Sequence, residues 1–131
     1  MQKNVNGDAN KKEVYMKITW LGQAGLLFDN GKVKIMLDPY LSNRVAKVNP
    51  LNDRRVPIDE SLFEISPDVM IFTHNHLDHL DPDTVAQIND KQFFITTNEG
   101  EKVLNQLGKN NVVSLNVGES TVVGDIEITA V

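Results

Sequence analysis

Cysteine is absent from the 131 residues. That removes disulfide staples and thiolate metal ligands, and it fits a cytoplasmic protein. No run of about 18 apolar residues occurs, so the sequence offers no membrane-spanning helix. Basic residues are not in excess: 13 Lys and Arg against 18 Asp and Glu leave a net charge of −5. Nucleic acid is therefore not an expected partner, because general binders carry a basic surface. Residues 1–12 lack an apolar h-region and read as a polar, mobile tail rather than a signal peptide. Residues 13–131 contain no internal repeat, low-complexity run or linker, and the hydrophobic share of 40% suits one small domain with a real core.

Histidine is also scarce, yet its three copies fall in one window, His74-Asn75-His76-Leu77-Asp78-His79. Burying that much polarity without compensation costs several kcal/mol, roughly, so the window is not core. Imidazole nitrogens and a carboxylate suit zinc, manganese or iron. Alternation places His74 and His76 on one side of an extended backbone. Asp78 and His79 then demand a turn. Two ligand pairs this close hold one metal or share two, and the segment reads as half of a binuclear site.

The flanks give the window a setting. Val69-Met70-Ile71-Phe72, after Pro67-Asp68, is a short apolar run of the kind buried on both faces of a sheet. Asp81 is an expected N-cap with Pro82 at the first helical position, and the helix should reach Asn89. The histidines thus sit on a loop at the carboxyl end of a buried strand, where open α/β sheets place their chemistry.

The remaining chain predicts alternating elements. Val14, Met16, Ile18 and Trp20 alternate as on a half-buried strand. Gly25–Phe28 and Lys32–Leu37 are expected to form a hairpin around Asp29-Asn30-Gly31. Residues 38–57 read as a long irregular stretch, and residues 58–65 as a short helix. Phe93–Thr96 and Asn111–Leu115 are expected strands, separated by a helix capped by Asn98 and ended by Gly108. Thr121–Val123 and Ile126–Val131 should pair around Gly124-Asp125.

Thr-His-x-His-x-Asp-His after an apolar strand resembles the signature of the metallo-β-lactamase superfamily. The stretches Ile18-Thr19-Trp20-Leu21-Gly22-Gln23-Ala24-Gly25, Leu37-Asp38-Pro39-Tyr40-Leu41 and Asp125–Val131 resemble the branch that includes L-ascorbate-6-phosphate lactonase. The likeness covers about residues 14–131. It implies an α/β (α+β) fold that is half of an αββα sandwich, with a mixed and largely antiparallel sheet and helices on one face. It implies that His74 and His76 ligate one divalent metal and Asp78 and His79 the other. Zinc or manganese is expected, with iron as a third choice. Asp78 would also be catalytic, orienting a metal-activated water.

By the same resemblance Asp38 would hold the second nitrogen of a ligand histidine; as a residue before Pro39 it is equally a turn residue. Arg54 and Arg55 are candidates for binding an anionic or phosphorylated small-molecule substrate, the alternative being a solvated loop face. The family completes its site with a further histidine, a bridging aspartate and a last histidine, and no histidine follows His79. The expected function is a metal-dependent hydrolase of lactone, ester or phosphoester type, incomplete as this chain. The alternatives are a non-catalytic half-domain, paired as a homodimer or with a second chain that supplies the missing half, and a metal-dependent nuclease. An isolated monomer is expected to bind metal weakly.

Overall fold

A six-stranded mixed sheet organises the chain; the computed structural model describes residues 15–88 and 92–131. The polar tail, Val14 and Asn89 lie outside the described residues. Strands β1 (Lys17–Gly22), β2 (Gly25–Asp29) and β3 (Lys34–Leu37) form an antiparallel meander. Strands β4 (Val69–Ile71), β5 (Phe93–Thr96) and β6 (Val112–Ser114) then add in parallel beside β3, giving the order β1-β2-β3-β4-β5-β6. A separate hairpin, β7 (Ser120–Val123) with β8 (Ile126–Thr129), forms a two-stranded sheet.

Side-chain alternation splits the sheet into two apolar faces. On one, Met36, Met70 and Phe94 pack with Val85 and Ile88 around helix α2 (Pro82–Gln87) and with Leu104 of helix α3 (Asn98–Gln106). On the other, Ile35, Val69 and Ile95 pack against Val123, Ile126 and Ile128 of the β7–β8 hairpin. The result is helices on one face and a second, smaller sheet on the other, the half-sandwich expected from the resemblance. Strand β4 is apolar throughout because both of its faces are covered, with Val69 and Met70 buried.

Several local expectations are corrected. The β2–β3 turn is longer than Asn-Gly alone suggests. The Asn30 side chain accepts hydrogen bonds from Lys32 N–H and Val33 N–H, so the ladder begins at Lys34. Asn30 Nδ2 also donates to Asp125 Oδ1 at 2.9 Å, tying this turn to the tip of the second hairpin. The cap of α3 is Thr97, whose hydroxyl accepts from Gly100 N–H at 3.1 Å; Asn98 is already helical. Gly108 ends α3 as expected, at φ +82, where Lys109 N–H donates to Leu104 O and Gly108 N–H to Asn105 O.

The stretch 38–57 is less irregular than predicted, holding a short helix α1 (Arg44–Val48) and a 3₁₀ turn at Pro50–Asn52. The expected helix at 58–65 is a 3₁₀ turn at Glu60–Glu64 capped by Asp59. In β1 the alternation is real but its apolar side is not covered. Ile18 is 53% and Trp20 70% exposed, while Leu21 is buried. The cluster under the β7–β8 hairpin extends from β6 to Phe28 of β2 and does not include Ile18 or Trp20.

Gly100 marks the closest approach of helix to sheet. A Cβ there would lie 2.0 Å from Thr96 Oγ1, and that buried hydroxyl donates to Phe72 O. Gly100→Ala should therefore destabilise the fold by about 1–3 kcal/mol through overpacking, despite the gain of about 1 kcal/mol in helix propensity. Urea unfolding reads this directly, and an unchanged or higher midpoint would contradict the packing described.

Candidate metal centre

The carboxyl ends of β3 and β4 lie side by side, since Leu37 pairs with Ile71 in the parallel ladder. Asp38 follows β3 and Thr73 to His79 follow β4, so the sheet brings together residues about 40 apart in sequence. Asp38 is buried and adopts a left-handed backbone, φ +45, with its own N–H donating to Ile71 O at 2.9 Å. Aspartate is one of the few residues that tolerate this region. The conformation turns its carboxylate toward the β4 loop.

That carboxylate collects three donors. Oδ1 accepts from Thr73 N–H at 2.8 Å, and Oδ2 accepts from the Thr73 hydroxyl at 2.6 Å and lies 2.8 Å from His79 Nδ1. The Thr73 oxygen is in turn 2.9 Å from His74 Nδ1. With its single proton given to Asp38, the hydroxyl acts as acceptor toward His74. Both histidines then donate from Nδ1, an assignment made from the network, which leaves Nε2 as the atom each can offer to a metal. One buried carboxylate thus sets the tautomer of two imidazoles, directly for His79 and through Thr73 for His74.

Beyond Thr73 the chain folds over itself. His79 N–H and Leu80 N–H both donate to His76 O, at 3.0 and 2.8 Å, and buried Leu80 pins the turn to the core. The His74 ring centroid is 4.0 Å from that of His79 and 4.6 Å from that of His76. Donor atoms of Asp38, His74 and His79 all lie within 4.8 Å of one another. Among the described residues this is the compact group; His76 stands beside it on the exposed side. Asp78 Oδ2 is 3.7 Å from His79 Nε2 and accepts a hydrogen bond from Gln23 Nε2 at 3.2 Å.

Arg54 and Arg55 lie along a groove next to Asp78. Arg54 is engaged by its own loop: Nη1 donates to Tyr40 O at 2.8 Å and Ser42 O at 3.2 Å, Nε donates to Val56 O, and the guanidinium sits over the Tyr40 ring. Arg55 is exposed. Sequence reasoning missed Thr73 and Gln23. The first stands immediately before the histidine window; the second, at φ +51, occupies the turn between Gly22 and Gly25 and is braced by Trp20 Nε1 donating to its carbonyl at 2.9 Å.

The sequence pattern described as "Beta-lactamase superfamily domain" matches residues 17–131. The chain belongs to the beta-lactamase superfamily. Superfamily relatives include an N-acyl-phosphatidylethanolamine-hydrolyzing phospholipase D of Caenorhabditis elegans, 30% identical over 90% of this chain and 36% of the relative. A metal-dependent hydrolase of Archaeoglobus fulgidus is 32% identical over 88% of this chain and 45% of the relative. This superfamily chain therefore spans between about a third and a half of these curated relatives. Among solved structures, isothiocyanate hydrolase from Delia radicum gut bacteria superposes with a TM-score of 0.63 at 21% identity, over 81% of this chain and 43% of that one. CmlA, a diiron β-hydroxylase from Streptomyces venezuelae, gives 0.64 at 18% identity, over 87% and 23%. These two likenesses show the fold.

Proposed function

We propose that the chain carries the first half of the active site of a metal-dependent hydrolase. The observation that supports this best is the pair of histidines, His74 and His79, whose Nδ1 atoms are both engaged by one network ending on Asp38. The donor chemistry fits a divalent ion: two imidazoles held through Nδ1 and offering Nε2, a third histidine, and the Asp78 carboxylate beside His79 Nε2. Zinc, manganese and iron all accept this set. In our reading His74 and His76 hold one ion and Asp78 and His79 the other, with Asp38 as the supporting carboxylate. A bound ion would supply Lewis acidity and lower the pKa of water toward neutrality.

The residues of this chain supply the rest. Asp78, steadied by Gln23, orients the attacking water and accepts its hydrogen bond. Asp38 and Thr73 keep the imidazoles from rotating. The hydrolytic relatives, one acting on a phospholipid, support an ester, lactone or phosphoester as the bond cleaved. Zinc sites normally use at least three protein ligands, so each ion here awaits a further ligand from outside these residues. The bare edge at Ile18 and Trp20 favours a second element of the same reading, in which another half-domain, from a second copy or another chain, completes the sheet packing.

Native mass spectrometry with added zinc or manganese tests the centre. Weak loading is expected, well short of the about 10–16 kcal/mol of complete structural zinc sites. His79→Ala should abolish it, since it removes one Nε2 and leaves Asp38 supporting only His74, through Thr73. Equal loading of His79→Ala and the unaltered chain would show that the ion binds elsewhere.

A further inference from the structure

The chain contains two Asn-Gly pairs, Asn6-Gly7 and Asn30-Gly31. The second lies in the β2–β3 turn, with Gly31 at φ +86. Such a pair carries its own reaction, because glycine has no Cβ to shield its nitrogen. The Gly31 nitrogen can give its proton to hydroxide and bond to Asn30 Cγ. The Cγ–Nδ2 bond then breaks, and Nδ2 takes a proton from water and leaves as ammonia. Water opens the resulting cyclic imide at either carbonyl. In sum, water is consumed, ammonia is released, and an aspartate or isoaspartate stands in place of Asn30.

In the fold each atom of that reaction is held. Gly31 N–H donates to Asp29 Oδ1 at 2.8 Å. Asn30 Oδ1 accepts from Lys32 N–H at 2.9 Å and from Val33 N–H at 2.8 Å. Asn30 Nδ2, the leaving group, donates to Asp125 Oδ1 at 2.9 Å, 95 residues along the chain. Cyclisation requires the Gly31 nitrogen to leave Asp29 and the Asn30 side chain to turn out of its three hydrogen bonds. The two bonds to Oδ1 are local to the turn. The bond from Nδ2 exists only while the β7–β8 hairpin is seated. That seat is close-fitting: a Cβ on Gly124 would lie 2.7 Å from Val33 Cγ2, and Val33 is buried in the cluster that the hairpin covers.

We infer that Asn30 is a site of spontaneous deamidation that the seated hairpin suppresses, and that the modification releases the hairpin irreversibly. The product carboxylate can still accept from Lys32 and Val33 N–H, so the turn survives an aspartate. It has no proton to give Asp125, and the two carboxylates would face each other at hydrogen-bonding distance, where like charges repel. Isoaspartate also lengthens the backbone by a methylene and upsets the turn itself. The bond that protects Asn30 is thus the bond its conversion destroys. The hairpin covers Ile35 of β3, Val69 of β4 and Ile95 of β5, so its release uncovers that apolar face of the sheet. The inference is independent of what the metal centre does.

The test follows tryptic peptide 18–32, whose single asparagine is Asn30, by mass spectrometry of the full chain aged in mildly alkaline buffer. The chain aged in guanidinium gives the unprotected rate. The folded chain should convert more slowly by about tenfold or more, the worth of one hydrogen bond to a carboxylate. Asp125→Ala changes an exposed turn residue, and it should raise the folded rate by about tenfold. Gly100→Ala destabilises the opposite face of the sheet and should leave the rate unchanged. Asn30→Asp should speed hydrogen exchange of the β7–β8 amides by about tenfold. Asn30→Asp/Asp125→Asn reverses donor and acceptor and should restore slow exchange. Equal conversion in the folded and unfolded chain, equal acceleration by Asp125→Ala and Gly100→Ala, or exchange that the reversed pair does not restore would each overturn the inference. The second of these would make global unfolding the route of modification.

Discussion

Asp38→Ala is expected to weaken divalent-metal binding by about 10–100-fold, the usual cost of losing a residue that orients a ligand histidine. The expectation follows from how much converges on this carboxylate. His79 Nδ1, the Thr73 hydroxyl and Thr73 N–H all lie within 2.6–2.8 Å of it. Alanine frees the His79 ring to rotate and to exchange its tautomer, and it releases Thr73, through which His74 is held. Alanine must also adopt the left-handed backbone of position 38, which costs roughly 1–2 kcal/mol.

Asp38→Asn should fall between the two. Asparagine tolerates the same backbone, but it puts an NH₂ where one carboxylate oxygen accepts, so the Thr73 N–H and the pair formed by the Thr73 hydroxyl and His79 Nδ1 cannot both keep an acceptor. Isothermal titration with zinc, alongside thermal unfolding without metal, tests the order Asp, Asn, Ala at this position. Equal zinc affinity for Asp38→Ala and the unaltered chain would mean that the histidines are held by something other than this network.

Asp81→Ala should give the largest loss of stability, about 3–7 kcal/mol. Asp81 is fully buried. One oxygen caps α2 by accepting from Asp83 N–H at 3.1 Å, and the other accepts from the Ser42 hydroxyl at 2.6 Å and from the Thr84 hydroxyl. Thr84 Oγ1 in turn accepts from Leu41 N–H at 2.9 Å. Alanine loses a cap worth about 1 kcal/mol and leaves two buried hydroxyls without their acceptor, at about 1–3 kcal/mol each. Set against a total of about 5–15 kcal/mol for a typical domain, this approaches complete unfolding.

The same chain of bonds joins the segment after β3, which carries Asp38, to the helix after the histidines. Metal loading should therefore fall together with stability in Asp81→Ala. A free energy of urea unfolding within about 0.5 kcal/mol of the unaltered chain, the scatter of ordinary surface changes, would contradict this account.

Much of this was legible in the sequence because its causes are local. The apolar run 69–72, the Asp81-Pro82 helix start and the Gly108 stop each depend on residues within one turn of the feature they set. The histidine window was legible because three imidazoles and a carboxylate in six residues have no structural use in a core. Features decided by tertiary contact were not. Thr97 rather than Asn98 caps α3, and Asn98 Nδ2 donates to Asn116 Oδ1, 18 residues away.

The alternation of β1 correctly gave a strand, but whether Ile18 and Trp20 are covered depends on how far the β7–β8 hairpin extends. Gln23 was invisible because its partner, Asp78, lies 55 residues along the chain. The contribution of Thr73 depends on Asp38, 35 residues away, and no spacing rule links the two.

The ends of β3 and β4 meet only when the parallel ladder between them has formed. In the unfolded chain Asp38 and His79 are separated by a loop of 41 residues, so the supported pair of imidazoles does not exist there. Any ion that prefers this arrangement thereby becomes a folding variable: free metal at 100 times its dissociation constant would add about 2.7 kcal/mol to the stability of the sheet. A chelator would then act on this protein as a mild denaturant, and the metal content of the buffer would enter every melting temperature measured for it.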